Sequence, residues 1–583
     1  MFDLLRTSTT LVLLSIGIFS VQNLQGASQT CGLKKGWQPN GSPVCEALNH
    51  QDLPQVTNDG SGGAIIAWKD ERSAPGLFDI YAQRIDVNGN ALWIQDGVVV
   101  CSSGSVQAEV QITSDGAGGA IVAWEDDRSG GSEIYAQRLD GDGNTLWTAN
   151  GVAIGVASYS PARHRVAPDD TGGAILTWEH NIDIFARRVD SGGNPLWGGP
   201  VEICRVVNQQ MLPKIIADGS GGAFITWEDH RNDPNIEYEI YAQRVDANGN
   251  TLWTVNGVEV RNASTGEKNW EPQIAADGAG GVVIAWEDFR GALGIYAQRI
   301  DASGNLMWTS GGKPVCTTSL LPLDDTLQIV ADGPGGTIIV WNDSRSGNPD
   351  IYAQKLEGNG DPSWQINGVA LCVEPGDQTG PRLVSDGTGG AIVTWNDERS
   401  DNGDIWAQIV DSSGFVVWGT TGSAVCTMTG TQESPKLVQL QPGVAIATWQ
   451  DGRGVDRDIY AARVNFAPVP DIKVNGQDQN ITIIFPTPIQ VTVALDPGSQ
   501  VGQVCEWWIF VDSPYGYYSF KPPRLWRPGL RVSHVGPLFE LPDYPIYDGT
   551  LPPGDFVFYF AVDPTIDNFP DLTHSDTITV LVQ

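Results

Sequence analysis

Short β-prone runs dominate this chain. "GGAIIAW", "IYAQR" and "LW…GV.VC" segments, rich in Val, Ile, Tyr and Trp, recur in fixed order. D-G-x-G-G and D-x-x-G-N turns separate the first pair and the last pair of runs, where hairpins need residues that tolerate φ > 0. Each unit therefore predicts four short antiparallel strands, the first often opened by proline. The tryptophan of "AWED" anchors the count, falling at 68, 124, 178, 227, 286, 341, 395 and 449, which makes eight units. Four-stranded units repeated radially describe a β-propeller.

The eighth unit tests that reading. After "DIYAARVNF" it moves into "APVPDI" and produces no fourth strand, while "GWQPNGSPVC" at 36 to 45 carries the Trp, Gly and Cys of a fourth strand ahead of the first complete unit. A ring whose last blade takes its outer strand from the N-terminus joins both ends by backbone hydrogen bonds and leaves no open seam. The expected fold is all-β: an eight-bladed propeller over about 32–466, closed by an N-terminal strand and followed by a β-sandwich.

The pattern "WEDxR…IYAQR.D..GN.LW" resembles the repeats of uncharacterised exported bacterial β-propellers over most of the chain. The turn "DVNGNALW" at 86 to 93 is similar, one residue shorter, to the tryptophan-docking turn of pyrroloquinoline-quinone enzyme propellers, and "DGxGG…W" resembles the Asp-box of sialidases. The last two likenesses imply hairpin packing, and neither implies catalysis. From about Ala467 proline rises and alternating runs such as "IQVTVAL", "DFVFYFAV" and "DTITVLV" appear. An immunoglobulin-like sandwich is expected over 467–583, a segment that also resembles C-terminal modules of bacterial exported proteins.

At the N-terminus, Arg6, the apolar run "LVLLSIGIFSV" and the small residues Gly26 to Ser28 read as an export signal over 1–27. The run is too short to span a bilayer, and no second long apolar run follows. The mature protein is expected to be secreted, periplasmic or held at the cell surface, as a monomer without membrane insertion. A formal charge of −35 excludes nucleic acid as a partner on electrostatic grounds.

Eight cysteines in an exported chain normally suggest disulfides. Here Cys45, Cys101, Cys316, Cys372 and Cys426 each lie eight residues after a tryptophan, and Cys204 seven after Trp197. Equivalent positions in different units lie too far apart to bridge. These six are expected to be small buried hydrophobes, leaving Cys31 and Cys505 unassigned.

What recurs in every unit is most simply what every unit needs to fold. The carboxylates Asp70, Asp126, Asp229, Asp288, Asp343, Asp397 and Asp451, each two residues before an arginine, are expected to pin the loop between second and third strands by charge-assisted hydrogen bonds. The alternative is a carboxylate ring that gathers a cation or sugar hydroxyls. Recurring Gln83 and Arg84, and their equivalents, are expected to satisfy each other or the loop carboxylates.

The third unit departs from the pattern. His164, flanked by Arg163 and Arg165, stands where five units carry proline, His180 stands where seven carry Asp, and Arg187 replaces the recurring Gln. A regular hairpin puts His164 opposite Trp178 and His180 one pleat beyond, with His230 of the next unit on the same rim. Such a cluster suits a metal, or an anion once protonated. Arg163, His164, Arg165, His180, Arg187 and His230 are therefore the ligand-binding candidates; no catalytic or metal set is assigned. In the last segment, "SPYGYYSFKPPRLWRPG" places Tyr515, Tyr517, Tyr518, Phe520 and Trp526 among Lys521, Arg524 and Arg527. Exposed aromatics of this kind can stack on sugar rings, with arginine or lysine helping to hold the hydroxyls. Alternation along a strand instead sends half of them inward as core and leaves the rest as rim, and that is the expectation.

No G-x-S-x-G elbow, H-E-x-x-H pair, C-x-x-C site or P-loop occurs, and no cofactor is assigned. The leading functional expectation is an exported, non-catalytic binding or scaffold protein that presents loops to a glycan or extracellular protein. A propeller hydrolase or lyase acting on polysaccharide is the alternative, since such sites assemble from distant loops without a local motif. A quinone-dependent dehydrogenase ranks third.

Overall fold

In a computed structural model the described residues are 37–156, 163–232, 238–261, 268–290, 293–317, 327–400, 403–465, 469–475, 481–496, 504–521, 525–528, 531–537, 541–563 and 575–582. The segment expected to be an export signal and Cys31 lie outside them. Eight four-stranded antiparallel sheets form the repeats, and the chain is an eight-bladed β-propeller followed by two further sheets. Blade 1 shows the plan, with strands Gln51–Asn58, Ala64–Ala74, Leu77–Ile85 and Val98–Cys101 lying side by side in that order. The eight first strands contact one another in succession, and the last touches the first, so they ring the axis.

The closing strand is the N-terminal one. Ser42–Cys45 pairs antiparallel with Asp458–Asn465, with Ser42 opposite Ala461 and Pro43 opposite Tyr460. It completes blade 8 beside Val444–Asp451 and Gln432–Gln441.

Apolar packing between neighbouring sheets holds the ring. Trp68, Trp124, Trp227, Trp286, Trp395 and Trp449 are fully buried, and the cluster that joins blades 1 and 2 holds Ile65, Ile80, Trp93, Val110, Val122 and Trp124. A second tryptophan in each unit docks on the next blade. Trp93 donates its Nε1–H to Gly141 O (3.0 Å) and lies over Gly143, where a Cβ would meet the ring at 2.9 Å. The same contact runs from Trp37 to Val87 O (2.8 Å) and from Trp364 to Ser412 O (3.1 Å). Trp418 of blade 7 meets no acceptor for its Nε1–H among the described residues, because the blade 8 chain departs after its third strand.

A period of four blades is superposed on the period of one. At equivalent places near their ends the third strands carry Ile85, Leu139, Val189 and Val245, then again Ile300, Leu356, Val410 and Val464. On the inner strands Gln55, Gln111, Arg165 and Lys214 are followed by Gln273, Gln328, Arg382 and Lys436. The residue paired across the sheet is Ala or Val opposite each Gln and Thr opposite each cation, as in Gln55–Ala67 and Arg165–Thr177.

After the ring, a three-stranded sheet (Val469–Val474, Ile489–Asp496, Leu541–Gly549) and a larger mixed sheet share one core. Ile472, Val491, Val493 and Ile546 of the first meet Trp507, Ile509, Phe558 and Ile578 of the second.

Candidate functional site

The repeated charges are framework. In blade 1, Asp70 Oδ2 accepts from Trp68 Nε1 (2.7 Å) and Arg72 Nη2 (2.6 Å), while Oδ1 accepts from the Arg72 backbone N (2.9 Å) and Nε (2.8 Å). The guanidinium lies 3.8 Å from the Tyr81 ring centroid, donates to Asp96 O (2.7 Å), and reaches Cys45 Sγ of blade 8 at 3.1 Å. Equivalent bonds join Arg128 to Cys101, Arg231 to Cys204, Arg345 to Cys316, Arg399 to Cys372 and Arg453 to Cys426. These thiols are therefore more than small hydrophobes, because each accepts a charge-assisted bond across a blade boundary. Burial outweighs the nearby arginine and pushes Cys101 up to about 12 and Cys372 up to about 12, so the sulfur accepts as a neutral thiol. At Asp126 burial acts in the opposite sense to its hydrogen bonds, but those from Arg128 and Trp124 prevail and hold the carboxyl down at about 2. All seven described cysteines are buried, and no disulfide joins any of them among the described residues.

The Gln-Arg pair is framework also: the two residues bond to each other as expected, while Arg84 takes a turn carboxylate in place of the loop one. Gln83 Oε1 accepts from the backbone N–H of Arg84 (2.9 Å) and Trp93 (3.0 Å). Arg84 Nε donates to Asp59 Oδ2 of the D-G-x-G-G turn at 2.8 Å, and its Nη1 donates to Gly141 O of the next blade.

The sequence candidates of blade 3 separate. His164 was expected at an open rim but is 1 % exposed, and neither ring nitrogen meets a hydrogen-bond partner. Its place in the strand is that of Val110 and Leu327, both buried between blades. Burial and the neighbouring Arg165 charge drive its ring down to about 3, against a smaller contribution from the Ala123 backbone. His180 sits edge-on to Phe185 at 5.6 Å. His230 is buried in blade 4, stacked on Tyr238 at 4.3 Å, and burial lowers its pKa. Arg187 donates to Ile154 O (2.9 Å) of blade 2. The hairpin register is the expected one, with Arg165 opposite Thr177, but position 164 packs between blades, and the inner strands are bulged just before it: in blade 1 the register slips between Asp52 and Gln55, with Leu53 at φ 53°. Arg163 holds the matching place in blade 3, at φ 48°.

The bulge defines what the structure does bring together. In blades 8, 3 and 4 the side chain after the anchor tryptophan reaches the bulge of the next blade, so that Gln450 accepts from Leu53 N (2.9 Å), Glu179 from Leu212 N (2.6 Å) and Glu228 from Glu271 N (2.7 Å). Arg163 lies 3.7 Å from Glu179. Glu179 is raised by burial, against the Leu212 N–H and the charges of Arg163 and Arg165. Burial pushes Glu228 up to about 8, opposed by the Glu271 N–H and the charges of Arg163 and Lys214 and reinforced by the Glu271 carboxylate. Arg163, Arg165, Glu179, Lys214, Glu228 and Glu271 thus form one interacting charge cluster across blades 3 to 5. Sequence reasoning named its two arginines and missed its glutamates. The available signal was that the residue after the anchor varies (Lys69, Glu125, Glu179, Glu228, Glu287, Asn342, Asn396, Gln450) inside an otherwise fixed motif.

Among the described residues no group of three or more His, Cys, Asp or Glu side chains is placed to hold a metal, and no helix is long and apolar enough to cross a membrane. In the last segment Phe520 is buried, Trp526 is half-buried, and Tyr515 and Tyr517 are exposed. The side chain of Lys521 and all of Arg524 lie outside the described residues.

No family model matches the chain, and no curated protein matches it significantly. Among solved structures it is similar to a protein of unknown function from Dyadobacter fermentans (10 % identity, TM-score 0.34, covering 73 % of this chain and 98 % of that one). It is also similar to the polysaccharide lyase Uly1 (10 %, TM-score 0.38, 75 % and 94 %) and to the GH93 α-L-arabinofuranosidase of Fusarium graminearum (8 %, TM-score 0.30, 74 % and 98 %). At these identities and scores the likeness assigns no activity.

Proposed function

We propose that this is an exported, non-catalytic binding or scaffold protein whose irregular blades present loops to a glycan or an envelope protein. On this reading residues 1–27 are the export signal, 32–466 the ring and 467–583 an immunoglobulin-like module. The mature chain is then a monomer, secreted, periplasmic or at the cell surface. One observation carries it: the repeated Asp and Arg side chains are bonded into the framework, whereas the departures from the repeat converge on blades 3 to 5. Of the sequence candidates, Arg163, Arg165, His180 and Arg187 retain partial solvent exposure there, and Arg163 and Glu179 supply a charged pair at the bulge. The purified protein, arrayed against glycans and envelope proteins, is expected to retain at least one partner and leave it chemically unchanged. Arg163→Ala with His180→Ala is expected to weaken that capture about tenfold or more. Unchanged capture by the double variant would overturn the site.

A second reading has its own support. Glu228 is 4 % exposed, and its burial beside Glu271 favours the protonated form that a general acid needs. A polysaccharide hydrolase or lyase would release new chain ends from its substrate, and Glu228→Gln would abolish that release. No new ends from any polysaccharide tested would remove this alternative.

A further inference from the structure

The two sheets that follow the ring each end in an edge strand, Leu541–Gly549 in the three-stranded sheet and Leu525–Pro528 in the mixed one. Between them lies a cavity of about 330 Å³ lined by Gln490, Trp526, Pro545, Ile546, Tyr547 and Asp548. Both of its aromatic rings are fixed before any ligand arrives. Trp526 donates its Nε1–H to Ile546 O (3.1 Å) and packs against Phe520 (5.5 Å) and, edge-on, Phe558 (6.2 Å). Tyr547 donates its hydroxyl to Thr550 O (2.8 Å) and packs on the same Phe558 (6.4 Å). Each ring is half-buried, so part of its surface remains open.

The polar side of the cavity is of another kind. Gln490 and Asp548 are directly opposite across the sheet, and both are exposed. A carboxylate and an amide side by side offer acceptors and donors at the spacing of adjacent hydroxyls. Strand addition by a peptide does not suit this edge, because Pro545 lacks an N–H and Ile546 O is already taken by Trp526. An anionic ligand does not suit it either, given Asp548 and a chain of formal charge −35. The volume sits at the small end of ligand sites, roughly 300 to 1,000 Å³.

We propose that this notch binds a neutral sugar ring, with Trp526 and Tyr547 as apolar walls and Gln490 and Asp548 as the hydroxyl-binding pair. Pyranose faces are apolar and their rims carry hydroxyls, which matches rigid aromatic walls beside a polar edge. The proposal extends the glycan branch of the reading above to a second place in the chain, on residues that the first site does not use.

The test is affinity electrophoresis of the full chain in native gels containing arabinan, galactan, xylan, mannan or β-1,3-glucan, with polygalacturonate as the acidic comparison. Retardation on at least one neutral gel is expected. Asp548→Ala and Gln490→Ala, both at exposed positions, should weaken it about fivefold or more without moving the melting temperature, and Trp526→Phe should weaken it while keeping the contacts to Phe520 and Phe558. Arg163→Ala should leave it unchanged, which separates this site from the one on the ring. Migration unaffected by every neutral gel, retardation only on polygalacturonate, or wild-type retardation of both the Asp548 and Gln490 variants would each overturn the proposal.

Discussion

The side chains of this protein show how one residue type takes opposite roles according to what faces it. Asp70 is buried yet accepts from Trp68 and Arg72, so its charge is compensated in place. His164 is buried as completely and lacks hydrogen-bond partners, so it stays neutral. Its folded pKa, about 3, lies below the 6.5 of an ordinary histidine. The unfolded chain therefore takes up this proton first as pH falls, and the stability linked to the ring is complete above about 6.5 and lost toward 3. The slope is about 1.4 kcal/mol per pH unit within that window. Leu327 fills the same strand position in blade 6 and is fully buried, so His164→Leu should fit. The variant is expected to flatten the dependence of urea midpoint on pH between about 6 and 4, relative to wild type. Parallel profiles for the two proteins would show that the ring does not titrate on unfolding.

At the scale of the element, the unit of construction is the boundary between blades as much as the blade. Each boundary carries an apolar cluster and an Arg–Cys bond or its substitute, and at every boundary but that between blades 7 and 8 a tryptophan is seated on a glycine. At the fourth boundary Arg261 replaces the cysteine and reaches Asp288 at 3.3 Å; at the second, Gly155 leaves its side-chain space to Trp178. The docking contact separates from backbone strain in a paired substitution. Gly414 and Gly419 both have positive φ, but a Cβ on Gly414 would meet Trp364 at 2.7 Å whereas that on Gly419 meets open space. Gly419→Ala should cost about 1 kcal/mol from its left-handed backbone alone, and Gly414→Ala about 2–4 kcal/mol. Equal melting temperatures for the two would mean that docking adds nothing. Strands, turns and the anchor tryptophans were legible in the sequence because apolar alternation and glycine-bearing turns are local signals. The bulges were not, since Leu53 and Arg163 are residue types that rarely hold positive φ. Missing them hid the glutamates that cap the bulges. The thiol–guanidinium bonds were hidden for another reason, as their partners belong to different blades.

For the molecule as a whole, closure by the N-terminal strand was legible because blade 8 lacks a fourth strand and residues 36 to 45 supply its motif. The charge cluster on blades 3 to 5 was only half legible. Its arginines break a repeat visibly, while its glutamates gain their meaning from the neighbouring blade. The four-blade period makes opposite blades near-copies, so asymmetry in this ring is informative: Glu179 and Glu228 accompany Arg165 and Lys214, whereas Asn396 and Gln450 accompany Arg382 and Lys436. The seam itself is testable. Removing residues through Cys45 deletes the pairing with Asp458–Asn465, the Trp37 contact and the thiol bound by Arg72. The melting temperature is expected to fall by about 10 °C or more, and a change under about 2 °C would contradict a stitched ring. The seam also fixes a schedule. Ser42–Cys45 precedes the first complete blade in the chain, yet its partner strand comes last among the blades, so this segment must wait unpaired while seven sheets assemble behind it. During that interval its free edge is open to any other strand within reach, and a helper that shields nascent edges would act on this protein at that stage.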